Sequence, residues 1–490
     1  MSQLQAQSGA FLGQPRGLST LFFTEMWERF TYYGMRSLLI LYLVATVSQG
    51  GLGFDDKTAS AIYGLYICGT YVFALAGGWV ADRLIGPQRA VIAGAAFIVV
   101  GNALLTLGRM NVFFCGLLII VLGVGLLKPN ISAMVGQLYP EGGARRDAGF
   151  SIFYMGINVG ALLGAILVPL FATRFGWRVA FSLGAVAMAI GLCAFLALRG
   201  QLPPTETATT ARGARRSWAV VGAFLASIAL VAALSMSGEI RLDPQAMSSA
   251  ATWLMGLFAV GYFAYLLNGA GLSSAERKRV YVMIVLFVAY AVFYAGFEQG
   301  GASLNLFAER YTNRKIFGAT MPAGILQGVT SLYTILLAPV FAWVWIALGK
   351  RGKDLSPLTK FAIGLGLLGL SALIMVAASR IVMTGHKVLP TWLLATYLLQ
   401  ECGDLCLSPV GLSSMTKLAP RRVVGQVMGV WFLALALGNN LAGQLSGEYD
   451  AANLASLPAL FLQIMAFSLV AAVVLGLLSP RLSRLMKGAT

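Results

Sequence analysis

Apolar residues run along this chain in long blocks separated by short polar stretches. A helix needs about 20 residues to cross a hydrocarbon layer. The blocks predict fourteen spans, at 18–47, 57–82, 88–108, 111–137, 148–173, 177–199, 217–236, 248–268, 280–308, 321–347, 357–380, 389–417, 424–446 and 456–480. Several exceed what a straight crossing needs, which points to tilt or to helix extending past the bilayer. The order reads as six spans, two spans and six spans. The expected domains are therefore 1–200, a linker region with two additional spans at 201–279, and 280–490. Gly200 to Arg216 is rich in Pro, Thr and Ala and reads as a flexible loop. Spans seven and eight carry no intramembrane charge and read as lipid-facing inserts.

Composition agrees. The 490 residues are 58% apolar and 11% charged, with a net charge of +17. Soluble globular chains carry about 25% charged residues, so the class is an all-α polytopic membrane protein with the lipid bilayer as its partner. The basic residues sit in short clusters between apolar blocks, not along one soluble face, which excludes nucleic acid as a partner. With the N-terminus inside, the cytoplasmic side holds Arg16, Arg83, Arg89, Arg145, Arg146, Arg199, Arg212, Arg215, Arg216, Arg277, Lys278, Arg279, Lys350, Arg351, Lys353, Lys360, Lys417, Arg421 and Arg422, and the tail adds Arg481, Arg484 and Lys487. That asymmetry predicts both termini in the cytoplasm. Met1 to Gly17 lacks the apolar core of a cleavable signal, so the first span is expected to direct insertion. The five cysteines have no metal-ligand spacing, the one histidine is His386 in an expected outer loop, and no Gly-x-x-x-x-Gly-Lys-Ser/Thr loop occurs. An enzyme, a metal cofactor and ATP drive are all disfavoured.

A charge inside a span costs about 2.5–3.5 kcal/mol on insertion scales, so each one calls for a reason. Span one holds Glu25, Glu28, Arg29, Tyr32, Tyr33 and Arg36. Glu25 with Arg29 and Glu28 with Tyr32 are spaced i, i+4, and Glu25 with Glu28 i, i+3, so they share one helical side. That is more charge than one self-compensating ion pair needs, and like carboxylates close together suit proton binding. Lys128 precedes Pro129 in span four, too deep for easy snorkelling from a helix end. Asn158 in span five suits a helix–helix hydrogen bond as well as it suits a site. Glu298 lies in span nine, and Glu401 and Asp404 lie three apart in span twelve, where Glu401 is equally readable as structural. Basic residues concentrate in the first half and acidic ones in the second. A zwitterion fits that polarity, its carboxylate meeting Arg29, Arg36 or Lys128 and its ammonium meeting Asp404 or Glu298.

The run Gly78-Trp79-Val80-Ala81-Asp82-Arg83-Leu84-Ile85-Gly86-Pro87-Gln88-Arg89 resembles the loop between spans two and three of the major facilitator superfamily. Within that superfamily the chain resembles the proton-dependent oligopeptide transporters, of the bacterial type with two extra spans. The motifs are Glu25-x-x-Glu28-Arg29-Phe30-x-Tyr32-Tyr33-Gly34, Phe150-x-x-Phe153-Tyr154-x-x-Ile157-Asn158-x-Gly160, Leu407-Ser408-Pro409-Val410-Gly411-Leu412-Ser413 and Gly429-x-Trp431-Phe432-Leu433. The resemblance implies a major facilitator fold of twelve core helices in two six-helix halves, plus two inserted helices. It implies a symporter importing di- and tripeptides by alternating access across the cell (inner) membrane, with protons as coupling ion, no cofactor, and a monomer sufficient for transport. Glu25, Glu28, Arg29 and Glu298 would couple protons. Arg29, Arg36, Tyr32, Tyr33, Tyr71, Lys128, Asn158, Thr330, Asp404 and Trp431 would bind substrate. Arg36 with Glu298, and Lys128 with Asp404, would form gating pairs.

Two positions depart from the family pattern. Gly403-Asp404-Leu405 stands where the family has Gly-Glu-Leu, which sets the carboxylate back by roughly one C–C bond, about 1.5 Å. Gln327-Gly328-Val329-Thr330-Ser331 stands where the family has Gln-Ser-x-Asn-Pro, so Thr330 replaces an amide. Both touch the end of the site expected to meet the substrate amino group, where Glu401 is placed to compensate. They leave open a proton-coupled transporter of another carboxylate-bearing or anionic substrate, such as a modified peptide, a drug or nitrate.

Overall fold

The computed structural model describes residues 11–140, 143–203, 211–316, 318–352, 355–420, 423–448, 454 and 456–486. Residues 204–210 of the expected linker lie outside the described residues, as do Lys353, Arg421, Arg422 and Lys487 of the basic clusters.

The described residues form helices α1 Arg16–Val44, α2 Asp56–Val80, α3 Pro87–Leu105, α4 Met110–Gln137, α5 Gly143–Phe175, α6 Trp177–Leu198, α7 Ala211–Met236 and α8 Pro244–Asn268. There follow α9 Ser274–Phe297, α10 Ser303–Tyr311, α11 Ile325–Lys350, α12 Pro357–Met383, α13 Thr391–Leu418, α14 Val424–Ser446 and α15 Ser456–Met486. A two-residue hairpin, β1 Lys315–Ile316 with β2 Ala319–Thr320, precedes α11. Among the described residues, 12 helices are long and apolar enough to cross a membrane. The long helices α1 and α13 fail that apolarity test, and they are the two that carry most of the unexpected charges.

Three expectations about the spans change. The ninth is broken, because α9 ends in a tight turn at Glu298–Gly301 before α10 begins. Gly300 and Gly301 have the lowest helix propensity after proline, and the turn is held by Gln299, which donates to the Ala295 and Ala442 carbonyls at 3.1 Å each. The second part of the expected loop at Gly200–Arg216 is helical, since α7 starts at Ala211. The eighth span is not simply a lipid-facing insert. Asn440 on α14 donates to the Ser248 carbonyl and to the Thr252 hydroxyl at 2.7 and 2.8 Å, and Gln444 donates to the Ser248 and Thr252 hydroxyls at 3.1 and 2.9 Å. Leu254, Leu257 and Phe258 lie on the exposed side of the same helix.

The chain divides into two compact units. One comprises Met1–Leu38 with Gly69–Asp243, the other Leu39–Cys68 with Pro244–Thr490. The boundary falls within α1 and α2 and between the inserted helices α7 and α8. In the first unit, α3 packs along α4 and α6, and α5 along α6. In the second, α12 packs between α13 and α15, and α9 against α14. The start of α2 is tied within the second unit by a bidentate pair, Arg310 donating to both Asp56 oxygens at 2.7 Å. Between α2 and α3 the chain turns through Ala81–Ile85 to Gly86, whose φ of 80° favours glycine, and Pro87 then opens α3.

Candidate functional site

In the first unit, α1 presents Glu25, Glu28 and Arg29, which are 2%, 1% and 3% exposed. Arg29 Nε lies 3.2 Å from Glu25 Oε1 and also donates to Glu28 Oε2. The guanidinium carbon sits 4.8 Å over the Tyr32 ring, one turn along, within cation–π reach. Arg36 approaches the Tyr33 ring at 5.7 Å. The i, i+4 spacing of Glu25 and Arg29 is therefore realised as contact. Among the described residues no hydrogen-bond partner meets Arg29 Nη2, Glu25 Oε2 or Glu28 Oε1. A buried cluster holding an uncommitted donor and two uncommitted acceptors can take up an anion and a proton.

Helix α5 holds that cluster in place. A Cβ on Gly160 would run into the Met26 carbonyl oxygen and lie 3.1 Å from Arg29 Cβ, and one on Gly164 would run into the Phe30 carbonyl. Two helices approach this closely only where one of them has no side chain. Asn158, on the same helix, is buried and donates to the Tyr154 carbonyl of its own helix at 3.0 Å. Among the described residues it makes no bond between helices, which corrects that reading of it.

Lys128 lies in the interior of α4, more than two turns before its end at Gln137. Its Nζ is 4.1 Å from the centre of the Tyr71 ring on α2. The following Pro129 has no N–H to give the Gly125 carbonyl. That carbonyl is where a Cβ on Gly77 would collide, so α2 and α4 meet closely beside Lys128. Lys128 is also near enough to Glu25 for their charges to interact. Arg29, Tyr32, Tyr71 and Lys128 thus belong to one neighbourhood of the first unit.

In the second unit, Asp404 on α13 accepts hydrogen bonds from Tyr294 OH, at 3.1 Å, and from Ser408 Oγ. Among the described residues both fall on Oδ1. Tyr290 OH and Ser408 Oγ lie 3.2 Å apart. The Tyr290 ring stacks on Trp431 of α14, with centroids 3.9 Å apart and planes 21° from parallel. Gly438 allows the approach of α14 to α9, since a Cβ there would come within 2.8 Å of the Ala291 carbonyl. Thr330 is half-buried and its hydroxyl donates to the Gln327 carbonyl of its own helix at 2.7 Å. One turn on, Thr334 donates to Glu401 Oε2 at 2.8 Å. Glu298 is buried at the turn that ends α9.

Sequence reasoning missed Tyr290, Tyr294, Ser408 and Thr334 as members of this group. Their spacing carried a signal: Ser408 follows Asp404 by four residues, and Tyr290, Tyr294 and Glu298 repeat every four residues along one span. The signal lacked a partner, because it says nothing of which helix lies opposite.

A family model described as the POT family matches residues 88–460. The peptide transporter YePEPT of Yersinia enterocolitica subsp. palearctica serotype O:3 is 41% identical over 493 residues, covering 97% of this chain and 96% of the relative. A crystal structure of the peptide transporter POT in complex with sulfate superposes with a TM-score of 0.92, at 38% identity and 99% coverage of both chains. One of a POT family transporter in complex with 5-aminolevulinic acid superposes with a TM-score of 0.89, at 33% identity, covering 98% of this chain and 99% of the other. The chain shares their fold, twelve core helices with two inserted between the halves, and is a multi-pass membrane protein. It belongs to the POT family, a family of transporters and not of enzymes.

Proposed function

We propose that this protein is a proton-coupled symporter that imports small peptides, di- and tripeptides, by alternating access, using protons as its coupling ion and no cofactor. The observation that carries the reading is the buried Glu25–Glu28–Arg29 cluster with its uncommitted Nη2 and carboxylate oxygens. Two carboxylates facing Arg29 and Lys128 sum to zero charge. One proton on Glu25 or Glu28 leaves a net positive charge, and the substrate carboxylate then binds to Arg29 and Lys128. Tyr32, Tyr33, Tyr71 and Asn158 line the pocket, the substrate ammonium goes to Asp404, and Trp431 forms the side-chain wall. Arg36 with Glu298 closes the outer gate, and Lys128 with Asp404 the second gating pair. Orientation follows the basic clusters, with both termini cytoplasmic in a cell inner membrane and the monomer as the transporting unit. A positive charge entering across 100 mV releases about 2.3 kcal/mol, enough for roughly a fifty-fold gradient.

The test is uptake of labelled dialanine into proteoliposomes, with and without an inward proton gradient. Saturable, gradient-stimulated uptake is expected, and Glu25→Gln or Glu28→Gln should abolish accumulation. Concentrative uptake by both variants would falsify the coupling role. A second reading is transport of another carboxylate-bearing substrate. It is favoured by the two departures, Thr330 and Asp404, and by the relative whose structure contains 5-aminolevulinic acid, which joins a carboxylate to an amine. Competition of dialanine uptake by that compound separates the two.

A further inference from the structure

Asp404 is anchored by one oxygen only, and this asymmetry has a chemical use. A carboxylate on a short arm, held by nothing, samples several rotamers and meets an ammonium with poor geometry. Here Tyr294 from α9 and Ser408 from the next turn of α13 both donate to Oδ1. Two donors arriving from different elements fix the plane of the group as well as its position. Among the described residues Oδ2 takes no hydrogen bond, and Asp404 itself is half-buried. The Ser408 hydroxyl, its own hydrogen given to Asp404, accepts from Tyr290 at 3.2 Å, and Tyr290 is stacked on Trp431. The donors are neutral, so they orient the carboxylate without cancelling its charge, as an arginine or lysine would.

We propose that Tyr294 and Ser408 are positioning residues for the substrate amino group: they hold Asp404 Oδ1 so that Oδ2 is presented to a protonated amine, with Tyr290 tying this arrangement to the Trp431 wall. The inference rests on the proposed transport of peptides and deepens it. The ligand class it specifies is a substrate with a free ammonium at the end opposite its carboxylate. Asp404 has one fewer rotatable bond than a glutamate, so two donors are enough to fix its carboxylate.

The experiment measures half-saturation for dialanine uptake, and competition by propionyl-alanine, which keeps the carboxylate end of dialanine and lacks the ammonium. Tyr294→Phe and Ser408→Ala are each expected to raise KM for dialanine about tenfold, the scale of one hydrogen bond to a charged group. Maximal rate should stay within about twofold, and competition by propionyl-alanine should not change. Ser408→Thr, which restores the hydroxyl, should recover most of the affinity. Equal weakening of both ligands, or a Ser408→Thr variant no better than Ser408→Ala, would mean that the two residues only pack, and the proposal falls. Unchanged dialanine affinity in Tyr294→Phe and Ser408→Ala also overturns it, while leaving peptide transport intact. A wild-type protein that takes up no dialanine refutes the proposed function itself, and this inference with it.

Discussion

Helices α1 and α13 each carry two carboxylates three residues apart, Glu25 with Glu28 and Glu401 with Asp404, and the two pairs are satisfied in different ways. On α1 a guanidinium from the same helix meets both acids. On α13 the acids accept from hydroxyls on other helices, Thr334 on α11 and Tyr294 on α9, with Ser408 added locally. A carboxylate matched by a cation is neutral from a distance, and its protonation releases that cation. A carboxylate held by hydroxyls keeps its charge on offer to a ligand. The first arrangement suits a coupling switch and the second a receptor for an amine, and the apolarity that α1 and α13 give up is the cost of carrying them.

The sharpest way to break this contrast is Arg29→Ala. It leaves two buried acids without their cation, and losing one partner of a buried pair costs about 3–5 kcal/mol. A large fall in thermal stability in detergent is expected, together with loss of dialanine uptake. Lowering the pH should recover part of the stability, since a proton on either acid relieves the repulsion. An Arg29→Ala protein as stable as wild type would show that the cluster does not depend on charge pairing.

Next in size is Gly160→Val, which forces side-chain atoms into the Met26 carbonyl. Overpacking of this kind costs about 1–3 kcal/mol and shifts Arg29. The variant should lose thermal stability and weaken dialanine binding, while Gly222→Val on α7, where a Cβ meets nothing within 4 Å, should change neither. Comparable losses in both variants would remove the close α1–α5 contact from the account.

The smallest effect expected is that of Glu401→Gln. The amide oxygen still accepts from Thr334, but the charge is gone. The loss is the difference between a charged and a neutral hydrogen bond, about 1 kcal/mol, or roughly fivefold in dialanine affinity. Unchanged affinity would take Glu401 out of the amino-group end and leave it as a tie between α13 and α11.

The local part of the site was legible because a helix fixes its own neighbours. Once 18–47 reads as a span, Glu25, Glu28, Arg29 and Tyr32 share a side whatever surrounds them, and the Glu25–Arg29 contact is the one the i, i+4 spacing allows, while the contact of Arg29 with its chain neighbour Glu28 is added by the fold. The depth of Lys128 followed in the same way from the limits of its apolar block. The group around Asp404 was not legible. Tyr294 lies 110 residues earlier in the chain, and no periodicity within either helix says that α9 faces α13.

Block length and spacing along the chain were enough to give the order of the spans, the membrane class, the spans that carry charge, and the arrangement of groups along each one. These depend on hydrophobic block length and on the fixed geometry of one helix. Packing between helices, in contrast, is what breaks α9 at Glu298, hydrogen-bonds α8 to α14, and holds Asp404 by Tyr294 and Ser408. Those outcomes depend on which helices meet and how closely, and that is set by glycine contacts and cross-helix hydrogen bonds between residues far apart in the chain.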